Sequence, residues 1–451
     1  MRNASERFRA ALVICVCFPI VLSCSGKEEP GVEPSLAEWI RSNAHPIGTL
    51  DPAEPFDDLA PFGALIGEAR VVCLGESRHD LHEQFLLKHR LTRYLVEEHG
   101  FTLFLLEESF VTSEKVNAYL LEGKGDPQEI LGESANWFAW ETEEMVDLLT
   151  WMRGHNETAP EGEKVRFYGL DITDPLAGIE AVLRYLGRYD RPYRKAIGGW
   201  FLGLDLFSRL SWQETMSRYS ALSDEQRAEL NENYTALVNR LESKGPEYVA
   251  DSSEEEYERA LRFAIVARES QRLYTSGSRT EGGVIRDRAM ADNALWVLDR
   301  TPGERALLWA HNAHVAKEEI EIVVPGVMET GPVLDLAAHL EEVLGEDLVT
   351  VAFALGRSAD PYVRLPRHEP GSVEHTLVGV GIPNFLLDLA SAPRKGPVRL
   401  WLDEPARLQM EEGYVQCRLD EAYDAILFVH EGRRTRPTRS AILKFRELGV
   451  R

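Results

Sequence analysis

Three apolar runs in this chain each stop at an acid or a histidine. Val71-Val72-Cys73-Leu74 passes through Gly75 into Glu76-Ser77-Arg78-His79, Phe101–Leu106 closes on Glu107-Glu108, and Ala306–Ala310 closes on His311-Asn312-Ala313-His314. Short apolar runs bounded by glycine and polar residues read as buried strands. Open α/β sheets bring their chemistry to the C-terminal ends of such strands. If these three are parallel neighbours, their polar ends share one edge of a sheet.

The segments between them support that arrangement. Leu81, Phe85, Leu86, His89, Leu91, Tyr94 and Leu95 follow helical spacing and stop at Gly100, a usual C-terminal helix stop. Helical patterns at Val111–Leu121 and Thr142–Met152 flank the aromatic patch Trp137-Phe138-Ala139-Trp140, and Val165–Leu170 is a further strand ending in Asp171. Alternating strands and helices imply βαβ units and a mainly parallel sheet. From about 175 to 280 no strand is evident, and apolar residues such as Leu230, Tyr234, Leu237 and Leu241 recur at helical spacing. Ser223 followed by Gln226 makes a capping box there, so this stretch of roughly 100 residues reads as a helical insertion. Asp251–Glu258 reads as a solvated acidic face. After Ala306–Ala310, strands are expected at Leu348–Ala354, Val398–Leu402 and Ala425–Val429, with helices at Val284–Leu298 and Val333–Leu344. The basic end, Thr435–Val450, is expected to close the fold. The fold class is α/β: a central mainly parallel sheet, flanking helices and a helical insertion.

The 451 residues are 44% hydrophobic and carry a formal charge of −24. That excess of acid argues against nucleic acid or an anionic membrane surface as the main partner. The N-terminus is more specific. Arg2, Arg7 and Arg9 precede the apolar run Ala10–Leu22, which is short for a membrane span. Val21-Leu22-Ser23-Cys24 resembles a bacterial lipobox, by which residues 1–23 are a lipoprotein signal peptide, Cys24 carries the lipid anchor, and 24–45 are a tether to a domain spanning 46–451. The expected location is the bacterial cell envelope. Cys15 and Cys17 leave with the signal, and Cys73 lies in an apolar strand, so a bridge to Cys417 is not the favoured reading. No Cys-x-x-Cys pair supports a thiolate zinc site. The serine-hydrolase elbow and the phosphate-binding P-loop are both missing.

Glu76 and His79 stand three residues apart, the spacing at which a carboxylate can fix an imidazole in one tautomer while it takes a proton from water. Strand alternation sends only one of Glu107 and Glu108 into a shared cleft. His79 and His82 on a nascent helix, together with His311 and His314, allow a second reading as a metal-dependent hydrolase. A non-catalytic envelope protein that binds a polar ligand or a haem-like cofactor in the same cleft is a third.

Taken together, Gly75-Glu76-Ser77-Arg78-His79, Leu103–Glu107, Phe167-Tyr168-Gly169-Leu170-Asp171, Arg286-Asp287 with Met290, Ala291 and Asn293, and Trp309–His314 resemble the erythromycin esterase family in order and spacing, over about residues 45–356. The resemblance implies hydrolysis of a small-molecule ester or macrolactone without a metal or other cofactor. By it, His79 is the general base on water, Glu76 and Glu107 orient and tune that base, His311 and His314 complete the site, and Arg286, with Arg288 as second choice, stabilises the developing oxyanion. Two residues depart from the family's habit. Asp80 stands where an uncharged residue is common, and Lys88 where arginine is common, without arginine's bidentate geometry.

Overall fold

Val71 and Cys73 face one side of the central sheet and Val72 and Leu74 the other, and both sides are buried. Leu103 and Leu105 alternate in the same way with Phe104 and Leu106, as do Ala306 and Leu308 with Leu307 and Trp309. A strand covered on both faces needs an unbroken apolar run, and helices stacked on both faces are what cover a parallel sheet. The computed structural model describes residues 32–134, 136–174, 176–201, 212–361, 363, 365 and 368–447. The expected signal peptide and Cys24 lie outside them.

Twelve strands are present among the described residues: β1 (Ala44–Pro46), β2 (Val71–Leu74), β3 (Phe101–Ser109), β4 (Arg166–Asp171), β5 (Arg305–Trp309), β6 (Glu321–Val324), β7 (Met328–Glu329), β8 (Leu348–Ser358), β9 (Asn384–Asp388), β10 (Ala406–Met410), β11 (Gly413–Cys417) and β12 (Ala425–Gly432). Eight form the central sheet in the order β1-β9-β12-β8-β2-β5-β3-β4. From β12 to β4 every pairing is parallel, and at the edge only β9, between β12 and β1, runs against the others. The mixed α/β fold with a mainly parallel sheet is therefore as expected. The register sets the geometry of the sheet's C-terminal edge, because Leu74 and Leu106 both pair with Trp309. The residues after these three positions emerge side by side.

The described elements between 177 and 275 are all helices, joined by short turns, and build a separate apolar cluster around Tyr234, Leu237 and Phe263. The capping box at Ser223 and Gln226 is formed in both directions. Cys73 and Cys417 are buried free thiols. No helix among the described residues is long and apolar enough to cross a membrane.

Three expectations need correction. Val398–Leu402 is not a strand but lies in the helix Pro397–Asp403. Pro397 opens it, Val398 and Leu402 are buried one turn apart, and Leu400 is exposed, a helical pattern that a segment only five residues long, four of them apolar, conceals. The 24–45 tether ends early: Pro34–Asn43 is a helix that buries Leu36, Ala37 and Ile40, and Ala44–Pro46 is β1 against β9. A second, antiparallel sheet, β10-β11-β6-β7, was not foreseen. Ala406, Leu408 and Met410 are buried in β10, but Arg407 between them is exposed and β11 follows after a two-residue turn. The alternation is present, though short and half polar.

Asn312 locks the edge of the sheet. Its side chain donates to Phe353 O at 2.8 Å and accepts from Phe353 N at 3.0 Å, continuing the ladder along β8 where its partner β2 has ended. Its own N–H donates to Glu76 O and its carbonyl accepts from Tyr423. A Cβ on Gly75 would lie 2.2 Å from Asn312 Oδ1, so only glycine fits there. Replacing Asn312 with alanine leaves two buried backbone groups of Phe353 unpaired, and the expected loss is about 1–3 kcal/mol for each. Urea denaturation of Asn312→Ala checks this, and a midpoint equal to wild type would contradict it.

Candidate active site

Because β2, β3 and β5 end level, Glu76, Glu107 and His311 meet at one edge, with His79 and His314 beside them. Glu76 is fully buried and has three partners: His79 Nδ1 at 2.5 Å on one oxygen, and Lys88 Nζ at 2.6 Å with Trp309 Nε1 at 2.8 Å on the other. Burial alone would raise this carboxyl, but the Lys88 charge and the His79 hydrogen bond hold it below its ordinary range. Burial likewise lowers Lys88, to about 8, against the pull of Glu76. The ammonium also sits 4.1 Å above the Trp309 ring. Lys88 comes from the helix His82–His99 and presents a point charge where a fork would add a second contact.

His79 follows on an irregular loop, with its ring set edgewise against Trp140 and His311 at 5.6 and 5.3 Å between centroids. Burial works against its charged form. The Glu76 hydrogen bond and the charges of Glu76, Glu107 and Glu411 outweigh that and raise His79 to about 9. Its Nδ1 is committed to Glu76, and its side chain keeps 28% exposure on the cavity side. Its backbone N–H donates to Glu411 Oε1 at 2.9 Å.

A second network lies across the cleft. Arg286 donates from Nε and Nη2 to Asp171 at 2.9 Å and from Nη2 to Glu107 at 2.7 Å. His314 Nδ1 meets Asp287 at 2.6 Å and its Nε2 meets Glu107 at 3.1 Å. Against burial, Asp287 and Glu107 raise His314 well above its ordinary value. Glu107 in turn is kept well below the carboxylate range by His314 and Arg286 in spite of its burial. With both His314 nitrogens protonated, the 3.1 Å approach of Arg286 Nη1 to Nε2 is between two donors. The Nη1 hydrogens are then left for another acceptor in the cavity that Arg286 lines. His311 differs: burial and the neighbouring His79 charge push it down to about 3. It accepts from Ala313 N at Nδ1, which makes Nε2 the protonated nitrogen facing Ser77 O at 3.2 Å.

All six expected residues, His79, Glu76, Glu107, His311, His314 and Arg286, therefore fall in one connected site. Glu107 is the member of its pair that turns inward. Glu108 bonds Ser109 N, Thr112 and Ser134, and burial pushes it up to about 8. Arg288, the second choice, is exposed and paired with Asp292. His82 does not join His79: its Nδ1 is 2.5 Å from Glu144. The helix begins only at His82, so the two histidines do not share a helical face. Among the described residues, the three-donor group able to hold a metal ion is Asp287, His314 and Asp335, with donor atoms within 4.8 Å of one another. It takes one of the four histidines, His314, together with two carboxylates. Asp80, the departure beside the base, is turned away into an ion pair with Arg78 at 2.8 Å.

Trp309, Lys88, Asp171, Asp287 and Glu411 belong to the site without having been assigned roles in it. The first four lie in or next to stretches whose polar ends were already suspect. Glu411 had no such signal. It sits at the β10–β11 turn, the one described non-glycine residue with positive φ (45°), donating its N–H to Ser77 O at 2.8 Å. A backbone in that region costs about 1–3 kcal/mol and persists where the surroundings impose it. Of the site residues, His79, Glu107, Asp171, Arg286, Asp287, His311, His314 and Glu411 line a cavity of about 430 Å³, within the range of small-molecule sites.

Known proteins share this architecture. The erythromycin esterase family profile matches residues 96–432. Erythromycin esterase type II from Escherichia coli is 26% identical over 421 residues, covering 87% of this chain and 97% of that protein. A crystal structure of a Bacillus cereus protein superposes with a TM-score of 0.76 at 24% identity, covering 90% of this chain and 99% of that one. The open conformation of a mutant erythromycin esterase, EreC, gives 0.68 at 20% identity over 87% and 97%.

Lys88 is the countercharge that lets Glu76 stay ionised out of water. Lys88→Met is expected to cost about 3–5 kcal/mol, since it leaves a buried charge without its partner. A denaturant titration measures this. Stability equal to wild type would mean that Glu76 is held by its other two hydrogen bonds.

Proposed function

The chain belongs to the erythromycin esterase family, and from that premise we propose that it hydrolyses the ester bond of a small molecule, a macrolactone among the possible substrates, with water activated by His79 and no metal. The observation that carries this is the Glu76–His79 pair, a cavity-facing imidazole whose Nδ1–H is fixed by a buried, ionised carboxylate. A neutral His79 then presents Nε2 as a lone pair. It takes a proton from water as the water oxygen bonds to the ester carbonyl carbon. The carbonyl oxygen becomes an oxyanion, for which the uncommitted Arg286 Nη1 hydrogens are the donors. Collapse breaks the bond to the alkoxide, and His79 returns its proton to that oxygen, releasing acid and alcohol. General-base help is worth about 10²–10⁴-fold and an oxyanion donor about 10²–10³-fold, enough together for an ester. The Glu107, His314, Asp287 and Asp171 network holds Arg286 in place.

We also propose that the protein is lipid-anchored in the bacterial envelope through Cys24. The arginine-flanked apolar run and the lipobox-like Val21–Cys24 support this.

His79 acts in its neutral form, and its proton is held to about 9. Activity is therefore low where His79 is protonated, rises with pH, and levels off near that value. Glu76→Gln removes the hydrogen bond and charge that raise His79, so the rising limb moves to lower pH while kcat falls by about 10²–10⁴. His79→Ala is expected to lose about the same factor on any ester that the wild type cleaves, macrolides included. A flat profile from pH 6 to 10, or full activity of His79→Ala in folded protein, would remove His79 as base. Exhaustive chelation is expected to leave turnover intact; loss that added divalent metal restores would shift the reaction to the Asp287, His314 and Asp335 group. Cys24→Ser is expected to move the protein from the membrane to the soluble fraction, read by fractionation.

A further inference from the structure

A second cavity, of about 540 Å³, adjoins the first and shares His79, Phe138, Ala139 and Glu411 with it. The candidate base therefore stands between two chambers. The first holds the charged network. The second is walled by Pro437 and by Ile442 and Phe445 of the C-terminal helix Arg439–Glu447, opposite Phe138, with Asp80, Arg434 and Arg446 also on its lining. Phe138 is 50% and Ile442 39% exposed, large apolar surface left in water beside a catalytic cleft. Such patches mark ligand grooves when they are contiguous with a site.

The wall is built rather than loosely draped. Lys444 Nζ donates to Gly132 O at 2.5 Å and to Glu141 at 2.6 Å, Thr438 donates to Glu141 at 2.8 Å, and the Phe445 ring packs on Trp137 at 4.9 Å. Glu141 N–H and Glu143 N–H are also tied in, to Trp137 O and Arg436 O at 2.8 Å each. The chamber thus exists before a ligand arrives, which lowers the ordering cost of binding. Its helical wall lies beyond residue 432, where the family profile match stops.

We propose that the second chamber is a specificity subsite that takes an apolar, ring-sized group, aryl or branched alkyl, carried on one side of the scissile ester while the remainder lies in the first chamber. The proposal rests on the ester-hydrolase reading for the identity of the ligand. Phe138, Ile442 and Phe445 grip the group, and His79 meets the ester bond at the junction.

2-Naphthol, which has no ester to cleave, isolates binding from chemistry. Calorimetric titration of the full-length protein is expected to show it binding, with affinity weakened about tenfold or more in Ile442→Asp, the scale on which apolar pockets discriminate. Ile442 is solvent-facing enough for that variant to fold, and Phe445→Ala serves as a second probe. In hydrolysis, kcat/KM for 2-naphthyl acetate is expected to fall about tenfold relative to ethyl acetate in both variants, mainly through KM. No binding to wild type, the result expected if another part of the chain fills the chamber, overturns the proposal. So does equal affinity for wild type and variants, or a parallel fall for both esters. Weakened 2-naphthol binding in a protein that cleaves no ester sustains the subsite and overturns the hydrolase reading instead.

Discussion

Everything at this site depends on one buried carboxylate. Glu76 lies out of water with an imidazole, an ammonium and an indole N–H around it. An ionised carboxyl in that position carries a desolvation penalty of several kcal/mol, so its partners are obligatory. Lys88 supplies the opposite charge, Trp309 a directed hydrogen bond, and His79 the link to the cavity. Because the charge is retained, His79 is held in one tautomer with Nε2 outward. The same charge raises its proton affinity, so the arrangement that orients the imidazole also favours its protonated form at neutral pH.

A like arrangement recurs across the cleft with roles exchanged. Glu107 and Asp171 are the buried anions, Arg286 and His314 the cations. His311 between the two networks is forced neutral by burial and by the His79 charge. Three histidines within one site thus differ in proton affinity, following their nearest carboxylates: two carboxylates on His314, one on His79, and for His311 only Glu411 at 4.0 Å. Divergent proton affinities among close neighbours are a physical mark of a functional site. The second sheet adds Glu411 through a strained turn, and the C-terminal helix closes a second chamber against Phe138. Both are contributions from the last fifty residues, far in sequence from the base they flank.

The sequence alone determined the strands and the polar residues at their ends. Val71–Leu74, Leu103–Leu106 and Ala306–Ala310 are apolar without interruption because both sheet faces are covered, and that signal is local and strong. Gly75, Glu76, His79, Glu107, His311 and His314 were legible because they stand just beyond those runs, whereas Arg286 entered only through the resemblance to a family. Asn312 and Trp309 were in the same stretch, yet nothing local says that one continues a ladder across strands or that the other donates to Glu76. The helix at Val398–Leu402 was misread because four apolar residues in five fit either period, and β10 and β11 were missed because half of each is polar. Which glutamate of the 107–108 pair turns inward, which arginine of 286 and 288 faces the cleft, and whether His82 joins His79 were settled only by the tertiary structure. The physical reason is the same in each case: orientation and protonation are set by register and by charges brought from elsewhere in the chain. Leu74 and Leu106 both level with Trp309, and Lys88 and Glu411 arriving from other elements, are facts of packing that no single segment encodes.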